Sequence, residues 1–111
     1  MRFNARARNI RVSPFKLRPI ADVVRGKDVN YALAWLNTLP LKRAKPMVKV
    51  IASAVANAKS RQNINADALI IKEIRVDQGP MYRYFKPGAM GRANIYRKRF
   101  SHVNVIVESM V

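Results

Sequence analysis

The chain has 111 residues, half of them apolar, with 22 Lys and Arg against 6 Asp and Glu and a net charge of +16. That is enough for one domain around one core, and it excludes wholesale disorder. The absence of cysteine excludes disulfides, thiolate catalysis and Cys-based zinc sites, and fits a reducing cytosol.

So large a positive charge disfavours compaction by self-repulsion and favours polyanions. Nucleic acid is the leading partner, and an anionic membrane surface is the second. The membrane reading weakens on two grounds. No apolar run approaches the ~20 residues that span a bilayer. The charge is also spread over the whole chain rather than along one amphipathic helix.

At the start, Phe3, Ala5 and Ala7 alternate with Arg2, Asn4, Arg6 and Arg8. A period of two predicts a strand with its apolar set on one face and Arg on the other. An Arg-rich, acid-free start also suits an organelle transit peptide, but the alternation favours the strand. Ser13-Pro14 opens a first helix, with Ser13 as N-cap and Pro14 at the first helical position. Leu17, Ile20, Ala21 and Val24 form its buried stripe and Gly26 ends it. Pro19 removes one backbone bond and is expected to kink this helix or delay its start.

Asp28 caps a second helix with Val29, Ala32, Leu33 and Leu36 on one face, and Pro40 closes it. A third helix runs from near Lys42 to about Arg61. Ala44, Val48, Ile51, Val55 and Ala58 are its expected core stripe, with Lys42, Lys45, Lys49 and Lys59 on another face. After a turn-rich connection, apolar runs at Leu69 to Val76 and Val103 to Val107 read as two strands. The order predicts an α+β domain: a three-stranded antiparallel sheet with three helices packed on one face.

Between those strands, residues 78–100 carry Arg83, Lys86, Arg92, Arg97, Lys98 and Arg99, and no acid. They also hold Tyr82, Tyr84, Phe85, Tyr96 and Phe100 around Pro87-Gly88-Ala89-Met90-Gly91. This reads as a β-hairpin whose arms project beyond the body, about 13 residues or roughly 40 Å each. The expected division is one domain, 1–111, with a globular body at 1–77 and 101–111 and an extended arm at 78–100. A two-stranded ribbon is marginal alone in water, and like charges along it make that worse. Such an arm is expected to order against a surrounding polyanion.

Catalysis finds little support. The six acids are scattered, and nothing ties a Ser and an acid to His102, the sole histidine. No phosphate-binding loop is present. Gly88-Ala89-Met90-Gly91 fits a GxxG clamp on nucleotide backbone, but its place between strand arms favours a plain hairpin turn. The tyrosines suit either cross-strand pairing or stacking on unpaired bases, and both readings stay open.

Three segments then agree with one family. They are Ser13-Pro14-Phe15-Lys16-Leu17-Arg18 with Ala21-Asp22-Val23-Val24-Arg25-Gly26-Lys27, Ser53-Ala54-Val55-Ala56-Asn57-Ala58, and Gly91-Arg92-Ala93 followed by His102-Val103-Asn104-Val105-Ile106-Val107. In these the chain resembles the ribosomal protein L-twenty-two family of the large subunit. The resemblance implies a structural, non-enzymatic constituent without cofactor, cytoplasmic or organelle-encoded, monomeric within a bacterial-type ribosome. It implies partners in several domains of 23S-type rRNA, in neighbouring large-subunit proteins and in the nascent peptide, and a role early in assembly. It also implies that the hairpin tip, Pro87 to Arg92, lines the exit tunnel near the macrolide site.

The expected rRNA contacts in the body are Arg6, Arg8, Lys16, Arg18, Arg25, Lys27 and Lys49. In the arm and at its return they are Tyr82, Arg83, Tyr84, Lys86, Arg92, Tyr96, Arg97, Lys98, Arg99, Ser101 and His102. The chain departs from the family's pattern at Pro19, at Gly88 and Met90 where basic residues are common, and at Phe100 where Thr is common. Arg92 is then the only charge left at the tip. Two other classes fit the composition: a free RNA-binding or annealing module, and a nucleic-acid-processing enzyme.

Overall fold

The computed structural model describes residues 1–87 and 93–109, with backbone alone described for 82–87 and 93–97. Its elements run β1 (Arg2–Ile10), α1 (Pro14–Val24), α2 (Val29–Thr38), α3 (Ala44–Gln62), a 3₁₀ turn (Ala66–Ala68), β2 (Leu69–Pro87) and β3 (Ala93–Ser109). The sheet is antiparallel in the order β1-β3-β2. This is the α+β arrangement expected from the sequence.

The core lies between the sheet and the helices. Val103, Val105 and Val107 on the central strand β3 are fully buried. Phe3 and Ala5 join them from β1, and Leu69, Ile71, Ile74 and Val76 from β2. A bulge between Ile71 and Glu73 keeps the β2 apolar set facing inward. Leu17, Ile20, Ala21 and Val24 of α1 close the other side as their spacing requires.

α3 differs from expectation in its buried stripe. Ala44, Ile51 and Ala58 are buried, but Met47, Val50 and Ala54 complete the set, while Val48 and Val55 are only half-buried. The cause is that α3 packs against both β1 and α2, so its covered face is wider and rotated from the single-sided stripe.

The caps also differ. Asp28 accepts a hydrogen bond from the backbone N–H of Asn30, as its position at a helix start predicts. Ser13 makes no side-chain cap; its carbonyl accepts the Lys16 N–H in a tight turn instead. Pro19 neither delays the helix nor ends it, because α1 begins at Pro14 and runs through to Val24.

Groups outside the sheet bond to both of its edges within the body. Along β2, Gly26 N–H donates to the Ile71 carbonyl and Ile71 N–H donates to the Lys27 carbonyl, each at 2.9 Å. On the β1 side, the Asn57 side chain donates to the Asn4 carbonyl at 2.9 Å. Such bonds hinder edge-to-edge pairing with other chains there.

β2 and β3 continue together past the body to Pro87 opposite Ala93. The molecule measures 64 × 25 × 17 Å, with a radius of gyration of 17.1 Å. A compact chain of this length has about 13 Å. The excess reflects the arm. At its root, between Gln78 and Met81, the ladder is bulged around Gly79. A Cβ added there meets the Phe100 carbonyl oxygen at 2.9 Å and its carbon at 3.0 Å. Backbone cannot yield as a side-chain tip does. Gly79→Ala therefore costs about 1–3 kcal/mol, the usual penalty of overpacking. Urea unfolding of the purified variant checks this, and an unchanged midpoint contradicts it.

Candidate nucleic-acid interface

Basic side chains gather in separate places on the body. At the end of β1, Arg11, Lys16, Lys42 and Arg43 surround a depression of about 390 Å³ where α1 and the approach to α3 meet. The Arg43 Nε is buried there with no acceptor among the described residues. A buried guanidinium nitrogen without an acceptor is costly unless a ligand supplies one. Beside the β1 edge, Lys45 and Lys49 flank a second hollow of about 390 Å³ with Arg6.

At the root of the arm, Phe15, Arg18, Gln78, Met81 and Arg99 line a smaller recess of about 240 Å³. Phe15 is 68% exposed, and the Arg18 guanidinium lies 5.6 Å from its ring centre. An exposed ring with an adjacent guanidinium suits base stacking and phosphate contact.

On the open face of the sheet, Arg6, Arg8 and Arg75 lie with Asn9, Asp77, His102 and Asn104 around a depression of about 480 Å³. Period-two alternation puts these polar residues opposite the buried valines. β1 bulges between Ala7 and Ile10, where Asn9 takes a left-handed backbone, φ 59°. Its N–H donates to His102 Nδ1 at 3.1 Å. Nδ1 is thus the acceptor, and neutral His102 carries its proton on Nε2. That commitment removes Nδ1 from any general-base role.

Some expected contacts also serve the fold. Ser101 is fully buried and its hydroxyl donates to the Val12 carbonyl, so it pins the segment after β1 and does not face a ligand. Arg25 donates to Asp22 at 2.7 Å and to the Ile74 carbonyl at 2.8 Å. Arg18 donates to the Val76 carbonyl from Nε and Nη2, each at 3.4 Å. These two arginines satisfy the outer carbonyls of β2, although both stay exposed. Lys27 stands 6.0 Å from the Tyr31 ring centre.

In the arm, the backbone register sets Tyr84 opposite Tyr96, Arg83 opposite Arg97 and Lys86 opposite Asn94. Tyr82 is opposite Lys98 and Met81 opposite Arg99, and both Lys98 and Arg99 are exposed. The tip residues Gly88, Ala89, Met90, Gly91 and Arg92 lie outside the described residues. Arg75, Asp77, Asn104, Arg11 and Arg43 were not among the expected contacts. The β2 and β3 alternation held a signal for the first three, since Arg75 and Asp77 fall opposite Asn104 and His102 only once the hairpin register is known.

Few of the cations described have a carboxylate partner. Among the described residues the ion pairs are Arg25–Asp22, Arg75–Glu73, and Arg2 and Lys72 with Glu108, at 2.7–3.9 Å. No three His, Asp or Glu side chains converge as a metal site among the described residues. No helix there is long and apolar enough to cross a membrane.

The fold and these surfaces define a strongly basic α+β protein with a projecting two-stranded arm. The chain belongs to the family described as Ribosomal protein L22p/L17e, whose pattern matches residues 5–108. It is similar to the large ribosomal subunit protein uL22 of Desulfitobacterium hafniense, 50% identical over 101 residues that cover 91% of this chain and 89% of the relative. The protein of the same name from Pelotomaculum thermopropionicum is 46% identical over 107 residues, covering 96% and 95%. That of a Roseiflexus species is 45% identical over 108 residues, covering 97% and 96%.

Proposed function

We propose that this protein is a structural constituent of the large ribosomal subunit that binds large-subunit rRNA through several separate basic surfaces. One observation carries the reading: among the described residues of the body, cations lie in groups on the open sheet face, at the α1–α3 depression and beside α3, with few carboxylate partners. A single duplex site needs one stripe. A folded RNA with several domains around the protein matches many faces at once. The large-subunit relatives support the same assignment.

In this reading residues 1–77 and 101–111 form the body, and 78–100 form an arm that reaches inward between RNA domains. The tip, Pro87 to Arg92, lines the nascent-peptide tunnel. By joining distant RNA segments the protein aids early assembly, beside neighbouring large-subunit proteins in a cytoplasmic, bacterial-type ribosome. No catalytic step belongs to it in this reading.

The test removes Ala89-Met90-Gly91. Body and lower arms keep their cations, so the variant is expected to sediment with large subunits at near-equal stoichiometry. The re-formed turn has a new length and register, which changes the passage and the neighbouring macrolide site. Macrolide sensitivity of cells or extracts therefore shifts. Failure of the intact protein to sediment with large subunits rejects the constituent reading. An unchanged macrolide response with normal assembly rejects the tunnel placement.

A further inference from the structure

The depression on the open sheet face holds chemistry that phosphate binding does not use. Asn104 pairs with Arg6 on one side and Arg75 on the other, and His102 faces Asp77 in the next row. Asn104 is only 9% exposed, yet its Oδ1 has no hydrogen-bond partner. An unsatisfied buried acceptor costs about 1–3 kcal/mol, so it calls for a donor from outside.

Asp77, which is exposed, adds an open carboxylate to the same depression. Of the six acids, Asp22, Glu73 and Glu108 are ion-paired, Asp28 caps α2, and Asp67 accepts from Asn30 at 2.6 Å. Among the described residues the Asp77 carboxylate has neither an ion pair nor a hydrogen bond. A carboxylate left open among Arg6, Arg8 and Arg75 repels a bare phosphate. It attracts a group that brings its own N–H donors. Neutral His102 adds one donor, Nε2–H, since Asn9 occupies Nδ1.

A ligand for this surface therefore needs N–H donors on one side, acceptors on another, and negative charge nearby. A nucleotide has all three. Guanine alone among the four bases places two adjacent donors, N1–H and the N2 amine, on one edge, with the O6 and N7 acceptors close by. A carboxylate can accept both donors, whereas adenine and cytosine set a ring-nitrogen lone pair on that edge. Uracil offers one N–H between two carbonyls. Arginine and an imidazole N–H match O6 and N7. A depression of about 480 Å³ is within the range of small-ligand sites.

We infer that this depression is a subsite for one unpaired guanine nucleotide of the RNA, with Asp77 and Asn104 on its donor edge and Arg6, Arg8 and Arg75 on its acceptors and phosphates. The inference rests on the rRNA-binding reading and adds base selectivity to it. Arg75 also stands 3.7 Å from Glu73, an exposed pair too weak to hold it from a phosphate.

The test uses the full chain and decauridylates bearing one central G, A, C or U. The G-containing oligomer is expected to bind about tenfold tighter than the others, the discrimination of one good bidentate contact. Asp77→Asn, an exposed isosteric change, and Asn104→Leu should each erase the preference while all-uridine binding is retained, and for Asp77→Asn somewhat raised by the lost negative charge. Equal affinity for all four oligomers overturns the subsite, as does a preference that survives Asp77→Asn. Displacement of the G-oligomer by guanosine monophosphate at equal concentration assigns the site to free nucleotide and overturns the RNA assignment. A large-subunit rRNA fragment is titrated alongside. If it binds while the oligomers show no preference, only the subsite fails; if it does not bind, the rRNA reading fails too.

Discussion

Affinity of the free protein for a large-subunit rRNA fragment falls by about 10³–10⁵ between 50 and 200 mM salt, if roughly 6–10 phosphates are neutralised. The size of the effect follows from how few cations are occupied. Arg2, Arg25, Lys72 and Arg75 have carboxylate partners, and those pairs are exposed and weak. Arg6 and Arg8 on the sheet face, Lys45 and Lys49 beside β1, and Arg11, Lys16, Lys42 and Arg43 near α1 remain for phosphates. Each bound phosphate releases condensed counterions, and salt opposes that release. Lys16→Gln with Lys42→Gln should lower the slope of log affinity against log salt by about 2, with no change in base preference. Filter binding across a salt series measures both. A nearly flat response means that phosphates do not carry the binding.

The parts of the fold governed by local pattern could be read directly from the residues. Alternation around Phe3 and Ala5 placed β1, Pro14 marked the start of α1, and Asp28 marked that of α2. What could not be read depends on contacts between distant segments. The α3 stripe turns because two elements pack on it, which its own periodicity does not encode. Ser101 and His102 both looked like ligand-facing polar residues. The strand pleat sends Ser101 inward to Val12 and leaves His102 outward, held by Asn9 from a bulge 93 positions away. Arg18 and Arg25 read as RNA contacts, and folding also ties them to the outer carbonyls of β2 while both stay exposed. Charge thus identified the kind of partner, while the residues free to meet it became visible only with the sheet register.

The same register predicts that body and arm differ in stability before RNA is bound. Ile51 and Val105 are fully buried between the helices and the sheet, and β3 is hydrogen-bonded on both sides there. Their amides open only with the whole body. At a domain stability of about 5 kcal/mol their exchange is slowed by roughly four decades. Beyond Met81, β3 has only β2 beside it, and Arg83 stands opposite Arg97. A two-stranded ribbon is at most marginally stable alone, and directly opposed like charges weaken it further. Amides at 81–87 and 93–97 should therefore exchange almost as in an unfolded peptide in the free protein. RNA bound along the arm, as proposed above, would offset the like charges there and add contacts. Protection at those amides then rises towards that of the body. Hydrogen exchange on the free protein and on its rRNA complex measures the contrast. Equal protection of arm and body in the free protein would mean that the ribbon is stabilised by its own side chains, and that RNA finds the arm already formed.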